Sequence, residues 1–248
     1  MRAPRTGDMM AAGHMIRRTG RAAGHDEIVS ILGSEILSGA RAPGSRVLLA
    51  EELRSRFGAS RVLMREVTKT LVAKGLINAK SRVGTHVLPP EYWNWFDPDV
   101  LTWRVRLGLD PEFFEHLAQM RRAVEPAAVA LAALQRTDEH MREIRAALDS
   151  MAASIEDRHA FVLADLAFHV AIAAASGNPL FRAFSGVVEV ALGAYFSLST
   201  PMTIDAMHEN VARHARIADA IEHRKPDVAY EAMVLVIDVG VDQVTKKR

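Results

Sequence analysis

From Asp26 onward, apolar residues fall at helical spacing: Ile28, Ile31, Leu32 and Ile36 share one face, and Gly39 follows as a stop. Pro43-Gly44 marks a turn, after which Leu48-Leu49 leads into a short helix over residues 50–57 that ends at Gly58. Ser60 is suited to cap the next helix, over residues 61–74, whose inward face is Leu63, Met64, Val67 and Leu71; Gly75 closes it. Two strand-like stretches follow, 76–80 and 85–88, with Ser81-Arg82-Val83-Gly84 between them as a hairpin tip. Three helices and a small hairpin within about 65 residues is the layout of a winged helix-turn-helix.

Pro89-Pro90 is the natural boundary after this unit. The next stretch, Trp93-Asn94-Trp95-Phe96-Asp97-Pro98-Asp99-Val100-Leu101-Thr102-Trp103, holds all three tryptophans. It reads as a linker docked by its aromatics and entering a helix at Pro98, with an aromatic cage for a cation as the alternative. The remainder is helical in pattern, over residues 110–134, 138–154, 158–176, 179–199, 203–223 and 225–245, punctuated by Gly177-Asn178-Pro179 and Lys225-Pro226-Asp227. Before Asp26 there is no periodicity, so residues 1–24 read as a disordered tail, and Gly13-His14-Met15 as a candidate cloning scar. The expected fold is mainly α: a winged helix-turn-helix over 25–89, a linker over 90–109, and an all-α antiparallel helical bundle over 110–248.

Composition changes this picture in one respect. Hydrophobic residues make up 49% and charged residues 25% of the 248, enough for a sizeable core. The net charge is only +1, yet residues 1–90 carry 15 Lys and Arg against 7 Asp and Glu, while the rest carries 16 against 23. A basic N-terminal part joined to an acidic remainder points to nucleic acid as the partner of the first. Cysteine is absent, which excludes disulfides and thiolate metal sites and suits a reducing cytoplasm. Apolar runs such as residues 187–192 are far shorter than a membrane span needs, and no signal peptide is evident, so a cytoplasmic protein without a membrane partner is expected.

Candidate chemistry gathers at two places. On the helix over 61–74, Arg61 and Arg65 project from the face that the apolar set leaves free, and Lys69 extends the stripe. A helix N-terminus in the major groove brings a bidentate guanidinium to a guanine edge, and Ser60 can both cap the helix and bond a phosphate. Arg82 at the hairpin tip suits a phosphate or the minor groove. In the helical half, Asp165 and His169 lie at i and i+4 on one face, a spacing that either closes on a cation or forms a simple hydrogen-bonded pair. His208, His223, His116, His140 and His159 read as surface residues.

The run Gly58-Ala59-Ser60-Arg61-Val62-Leu63-Met64-Arg65-Glu66-Val67 closely resembles the recognition-helix motif of the GntR family of bacterial regulators. Pro43-Gly44 before it and Gly84-Thr85-His86-Val87 after it match the family's turn and wing, so the resemblance covers residues 26–89 and implies that Gly84 belongs to the DNA-binding set. One position departs: Glu51 stands where the family usually has an arginine that touches DNA. The second half, through Arg121-Arg122-Ala123-Val124-Glu125-Pro126, Asp165-Leu166-Ala167-Phe168-His169, Ser176-Gly177-Asn178-Pro179 and His214-Ala215-Arg216-Ile217, looks like the FadR-type FCD effector domain of that family. Many such domains bind a divalent metal through an Asp and three His, and the metal's open positions take a carboxylate effector. Carried over, Asp165, His169 and His214 match three ligands, and Val236 stands at the fourth. The resemblance thus implies a divalent metal, Zn²⁺ with Ni²⁺ or Mn²⁺ as alternatives, held by three protein ligands. It also implies that Arg121 takes the effector carboxylate. Glu125 lies one turn on from Arg121 and either orients it or forms a plain intrahelical pair, and Asn210, four residues before His214, can bond an effector hydroxyl. The tryptophan segment is similar to one in sugar-acid regulators of the galactonate type, which suggests an aldonate or related hydroxy acid.

The expected function is a dimeric regulator, a repressor of a carboxylate-catabolic operon, that binds double-stranded operator DNA and responds to a small carboxylate. Two alternatives stand beside it. One keeps the DNA-binding half and makes the helical half a metal-free dimerisation module. The other is a metalloenzyme built on Asp165, His169 and His214, against which stands the lack of any motif supplying a general base.

Overall fold

A computed structural model describes residues 23–245 apart from 48–49, 81–83, 109–110 and 199–202. The tail expected before Ala23, Leu48-Leu49 and the hairpin-tip residues Ser81, Arg82 and Val83 therefore lie outside the described residues. The chain runs α1 (His25–Leu37), α2 (Ala50–Phe57), α3 (Arg61–Ala73), a hairpin of β1 (Ile77–Lys80) and β2 (Gly84–Val87), then α4 (Pro98–Arg106). It continues through α5 (Pro111–Gln135), α6 (Asp138–Ala153), α7 (Arg158–Ala175), α8 (Pro179–Ala183), α9 (Ser185–Leu198), α10 (Ile204–Glu222) and α11 (Pro226–Thr245).

The hairpin pairs antiparallel, Ile77 opposite Val87 and Lys80 opposite Gly84, and Arg46 bridges His86 from the other side. This small sheet closes one end of a core made by Ile28, Leu32 and Ile36 of α1 with Val67 and Leu71 of α3. Trp93, Val100 and Trp103 complete the same core, so the tryptophan segment is packed into the first unit. Gly33 makes that contact close: a Cβ there would lie 2.2 Å from Cζ3 of Trp103. Asp97 caps α4 by accepting from the backbone N–H groups of Asp99 and Val100, which fixes the start of the helix that Pro98 opens.

Beneath the junction sits one buried cation. Lys74, at the C-terminal cap of α3, donates to both carboxylate oxygens of Asp97 at 2.7 and 2.9 Å and to Asp99 at 2.7 Å. Burial pushes its pKa down, but the two carboxylates more than offset this and hold it above the ordinary lysine value. Its ammonium also lies over the Trp103 ring.

The helical half buries a second core, centred on Phe161, Phe168 and Ile172 of α7, Ile144 and Met151 of α6, and Ile217 and Ile221 of α10. α5 and α11 pack side by side along this core. Connections are short, as at Arg136-Thr137 and between α10 and α11. One expectation needs correction: residues 179–199 do not form a single helix. The chain tightens at Phe184 through 3-10 bonds, Phe184 N–H to Phe181 carbonyl and Val187 N–H to Phe184 carbonyl, which divide α8 from α9. Ser185-Gly186, two weak helix formers, lie within the second of these bonds. Phe184 also packs on Phe96, with ring centroids 6.2 Å apart.

The Gly33–Trp103 contact carries a direct prediction. Gly33→Ala is expected to lower stability by about 1–3 kcal/mol through overpacking, despite the better helix propensity of alanine. Urea unfolding followed by tryptophan fluorescence measures it, and a parental midpoint would contradict the packing described.

Candidate nucleic-acid interface and ligand site

α3 separates its two faces cleanly. Met64, Val67 and Leu71 are buried, whereas Arg61, Arg65 and Lys69 are exposed. Ser60 caps the helix, its Oγ accepting from the Leu63 N–H at 3.2 Å. Lys69 donates to Glu66 at 2.9 Å, and Arg65 stands 3.9 Å from the same carboxylate. The cationic stripe is thus brought together on one surface, with an acidic residue along its edge. Gly84 adopts φ +96°, and the guanidinium of Arg46 lies against its α-carbon; a Cβ there would meet Nε of Arg46 at 3.2 Å. Arg46 is an exposed cation beside the wing that sequence reading passed over, because only the sheet brings it there. Arg82 lies outside the described residues, as does the side chain of Glu51.

The second constellation is fully interior. Arg121 and Glu125 come from α5, Asp165 and His169 from α7 and His214 from α10, and all five are buried. Spacing of i and i+4 stacks each pair on one face, and α5, which packs on both α7 and α10, brings the three faces together. Arg121 Nε donates to Glu125 Oε1 at 2.5 Å. Glu125 has a second partner: its Oε2 is 2.5 Å from Nδ1 of His169. On the far side of that ring, Nε2 is 3.4 Å from Asp165 Oδ1, and Nε2 of His214 approaches the same oxygen at 3.1 Å. Nδ1 of His214 is occupied by the Asn210 backbone carbonyl at 2.9 Å, which turns Nε2 toward Asp165.

Electrostatics bind the group together. Burial pushes the Asp165 pKa up, but His214 and His169 hold it well below the usual carboxylate range. Glu125, pushed up by burial, is held at about 2 by Arg121 and His169. His169, pushed down by burial, is raised to about 9 by Glu125 and Asp165.

The donor set fits a cation. Oδ1 of Asp165 and Nε2 of both histidines lie within 4.8 Å of one another, and none of the three makes a hydrogen bond of good geometry. Ligand atoms around a tetrahedral zinc are about 3.3 Å apart, close to the two measured separations. Beside them is a small cavity lined by Arg121, Asn210, His214, Val236 and Gly240, into which Asn210 presents an Oδ1 that is buried and without a donor. Val236, at the position expected for a fourth ligand, offers no donor atom.

Comparison with known proteins follows the same division. The family model of the bacterial regulatory proteins of the gntR family matches residues 25–87, and that of the FCD domain matches residues 116–238. The chain is 34% identical over 212 residues to the galactonate operon transcriptional repressor of Escherichia coli K12, covering 86% of this chain and 93% of that protein. It is 30% identical over 203 residues to the HTH-type transcriptional repressor NanR of Cronobacter sakazakii, covering 77% of this chain and 74% of the relative. Its fold is similar to the solved structure of Lar from Listeria monocytogenes, with a TM-score of 0.62 at 17% identity, over 92% of this chain and 99% of the other.

The buried charges generate a prediction that is independent of any ligand. Glu125→Gln removes the counter-charge of both Arg121 and His169 in the interior, and is expected to cost about 3–5 kcal/mol. Urea unfolding measures it; a loss below about 1 kcal/mol would mean that the three groups are not mutually dependent.

Proposed function

The chain belongs to the GntR family of bacterial regulatory proteins, as a FadR-like DNA-binding regulator with an FCD domain, and from that premise we propose that it represses a carboxylate-catabolic operon under control of a metal-assisted effector site. The observation that carries the proposal is the buried Asp165, His169 and His214 trio, whose three facing donor atoms lack good hydrogen bonds and open on Arg121. The protein is a transcription regulator and not an enzyme.

In this reading Asp165, His169 and His214 hold one divalent ion, Zn²⁺ in preference to Ni²⁺ or Mn²⁺, through one oxygen and two imidazole nitrogens. The ion supplies Lewis-acid attraction for an anionic oxygen. Charge counting favours an anionic effector: two carboxylates against Arg121 and a divalent ion leave one positive charge in the interior, which a single carboxylate neutralises. Arg121 offers that carboxylate a planar pair of donors, and Glu125 holds the guanidinium and the His169 ring in place together. Asn210 Oδ1 requires a donor, which a hydroxyl supplies, so a hydroxylated acid of the sugar-acid class suits the cavity better than a plain carboxylate. The galactonate operon repressor, by its name, controls a sugar-acid operon, which agrees with this class. Val236 in place of a fourth ligand leaves a coordination position for the effector's own oxygen.

On DNA the protein acts as a cytoplasmic homodimer, one α3 per half-site in successive major grooves of a pseudo-palindromic operator. Arg61 and Arg65 reach guanine edges, while Ser60, Lys69, Arg82 and the wing around Gly84 take phosphates. Effector binding changes operator affinity only so far as the effector binds the free and DNA-bound arrangements unequally.

Two measurements test this. Arg61→Ala or Arg65→Ala is expected to cost about 1–3 kcal/mol of specific operator affinity in fluorescence anisotropy, and Lys69→Ala to weaken specific and non-specific duplexes alike. Parental specificity in both arginine variants would exclude α3 as the reading element. Asp165→Asn is expected to retain less than about a tenth of the zinc found in the parent after dialysis, by elemental analysis. It should also lose the zinc-dependent thermal stabilisation by galactonate, which at a hundred times Kd amounts to about 2.7 kcal/mol in the parent. Equal zinc in both proteins would remove the metal from the proposal.

A further inference from the structure

Among the apolar side chains in the first turn of α3, one is not accounted for by core packing. Val62 is 74% exposed, although it is apolar and β-branched. Isolated exposed valines are ordinary on protein surfaces, so position has to carry the argument. A helix advances about 100° per residue, and the buried stripe of Met64, Val67 and Leu71 therefore centres about 170–180° from Val62. Val62 lies on the outward centreline, with Lys69 two turns along the same line. Arg65, with Arg61 beyond it, stands on one flank and Glu66 on the other. With this face in a major groove, the two arginines meet base edges to one side of the groove. The residue aimed at its floor, within the first turn, has no polar atom at all.

In B-form DNA the floor of the major groove offers hydrogen-bond donors and acceptors at every base, and one apolar group, the C5-methyl of thymine. A side chain with two methyl groups cannot bond the former and packs against the latter. We propose that Val62 is a specificity-determining residue that reads a thymine methyl in each half-site, adding an apolar contact to the polar readout by its arginine neighbours. This rests on α3 lying in the major groove, as proposed above. Neither flanking arginine can take over the role, because a thymine presents only one acceptor to a guanidinium in that groove.

The test uses the full-length protein and duplexes selected by it from a random library. Each thymine of the selected half-site is replaced in turn by deoxyuridine, which removes the methyl and leaves every hydrogen-bonding group. For the parent, one such replacement per half-site is expected to weaken binding about fourfold by fluorescence anisotropy, the value of one buried methyl. For Val62→Ala the thymine and deoxyuridine duplexes are expected to bind alike at that position, while sensitivity to replacement of the guanine beside it persists. Val62→Ile retains the thymine preference. If every deoxyuridine effect survives in Val62→Ala, the proposal is wrong although α3 still reads DNA. If selection returns no sequence preference, α3 is not a reading helix, and both claims fall.

Discussion

Burying charge is costly, and four charged side chains buried together dictate how the helical half is assembled. Arg121, Glu125, Asp165 and His169 leave water on folding, and each has its compensating partner among the other three. α5 supplies the first two and α7 the last two, each as an i,i+4 pair, and the contact of Glu125 with His169 joins the two helices, so sliding one against the other by a turn would break that link. His214 adds α10 to the same constraint through Asp165. Apolar packing alone tolerates many arrangements of alanine-rich helices, since small side chains form shallow ridges. The buried charges add a directional constraint that apolar packing lacks. The same arrangement leaves three donor atoms without good hydrogen bonds, so the feature that specifies the bundle also prepares it for a ligand.

The junction uses a smaller version of this device. Lys74 could have extended the basic surface of α3, but it turns inward and is held by Asp97 and Asp99 at the start of α4. α3 is thereby tied at its C-terminal end to the segment leading into the helical half, while its N-terminal end, with Ser60 and Arg61, faces outward. Trp103 lies under the ammonium and against Gly33, which links the clamp to α1. The acidic N-terminus of α4 suits its helix dipole and the lysine together, so neither aspartate has only one role.

How far these features were legible in the sequence depends on the range of the interaction. α3, its cap and its two faces follow from spacing within about a dozen residues, and so do the Arg121–Glu125 and Asp165–His169 pairs. The resemblance to the FCD domain added His214, which no local rule joins to Asp165. The second role of Glu125 was out of reach: its contact with His169 spans 44 positions and depends on how α5 lies on α7. Arg46 was missed for the same reason, since the sheet and not the local pattern sets it against Gly84. The break at Phe184 escaped because Ser185-Gly186 weakens a helix without forbidding one, and the contact of Phe184 with Phe96 lies far back in the chain. The tryptophan segment read as a linker docked by its aromatics, and Trp93 and Trp103 are buried accordingly; that they join the core of α1 and α3 is a pairing only the fold shows.

The cations of α3 also differ in how freely they can meet a phosphate. Lys69 is already paired with Glu66, whose pKa that hydrogen bond lowers, so binding DNA through Lys69 exchanges one partner for another. The carboxylate left behind would then face the duplex and repel it. Arg61 has no such partner among the described residues, and Arg65 is only loosely associated at 3.9 Å. A helix with three cations and one anion on its outward face thus gains less from nonspecific electrostatics than its lysine and arginine content implies. The presence of Glu66 shifts the balance of binding away from phosphate neutralisation and toward contacts that depend on the bases, the direction a regulator requires when non-specific sites vastly outnumber its operator.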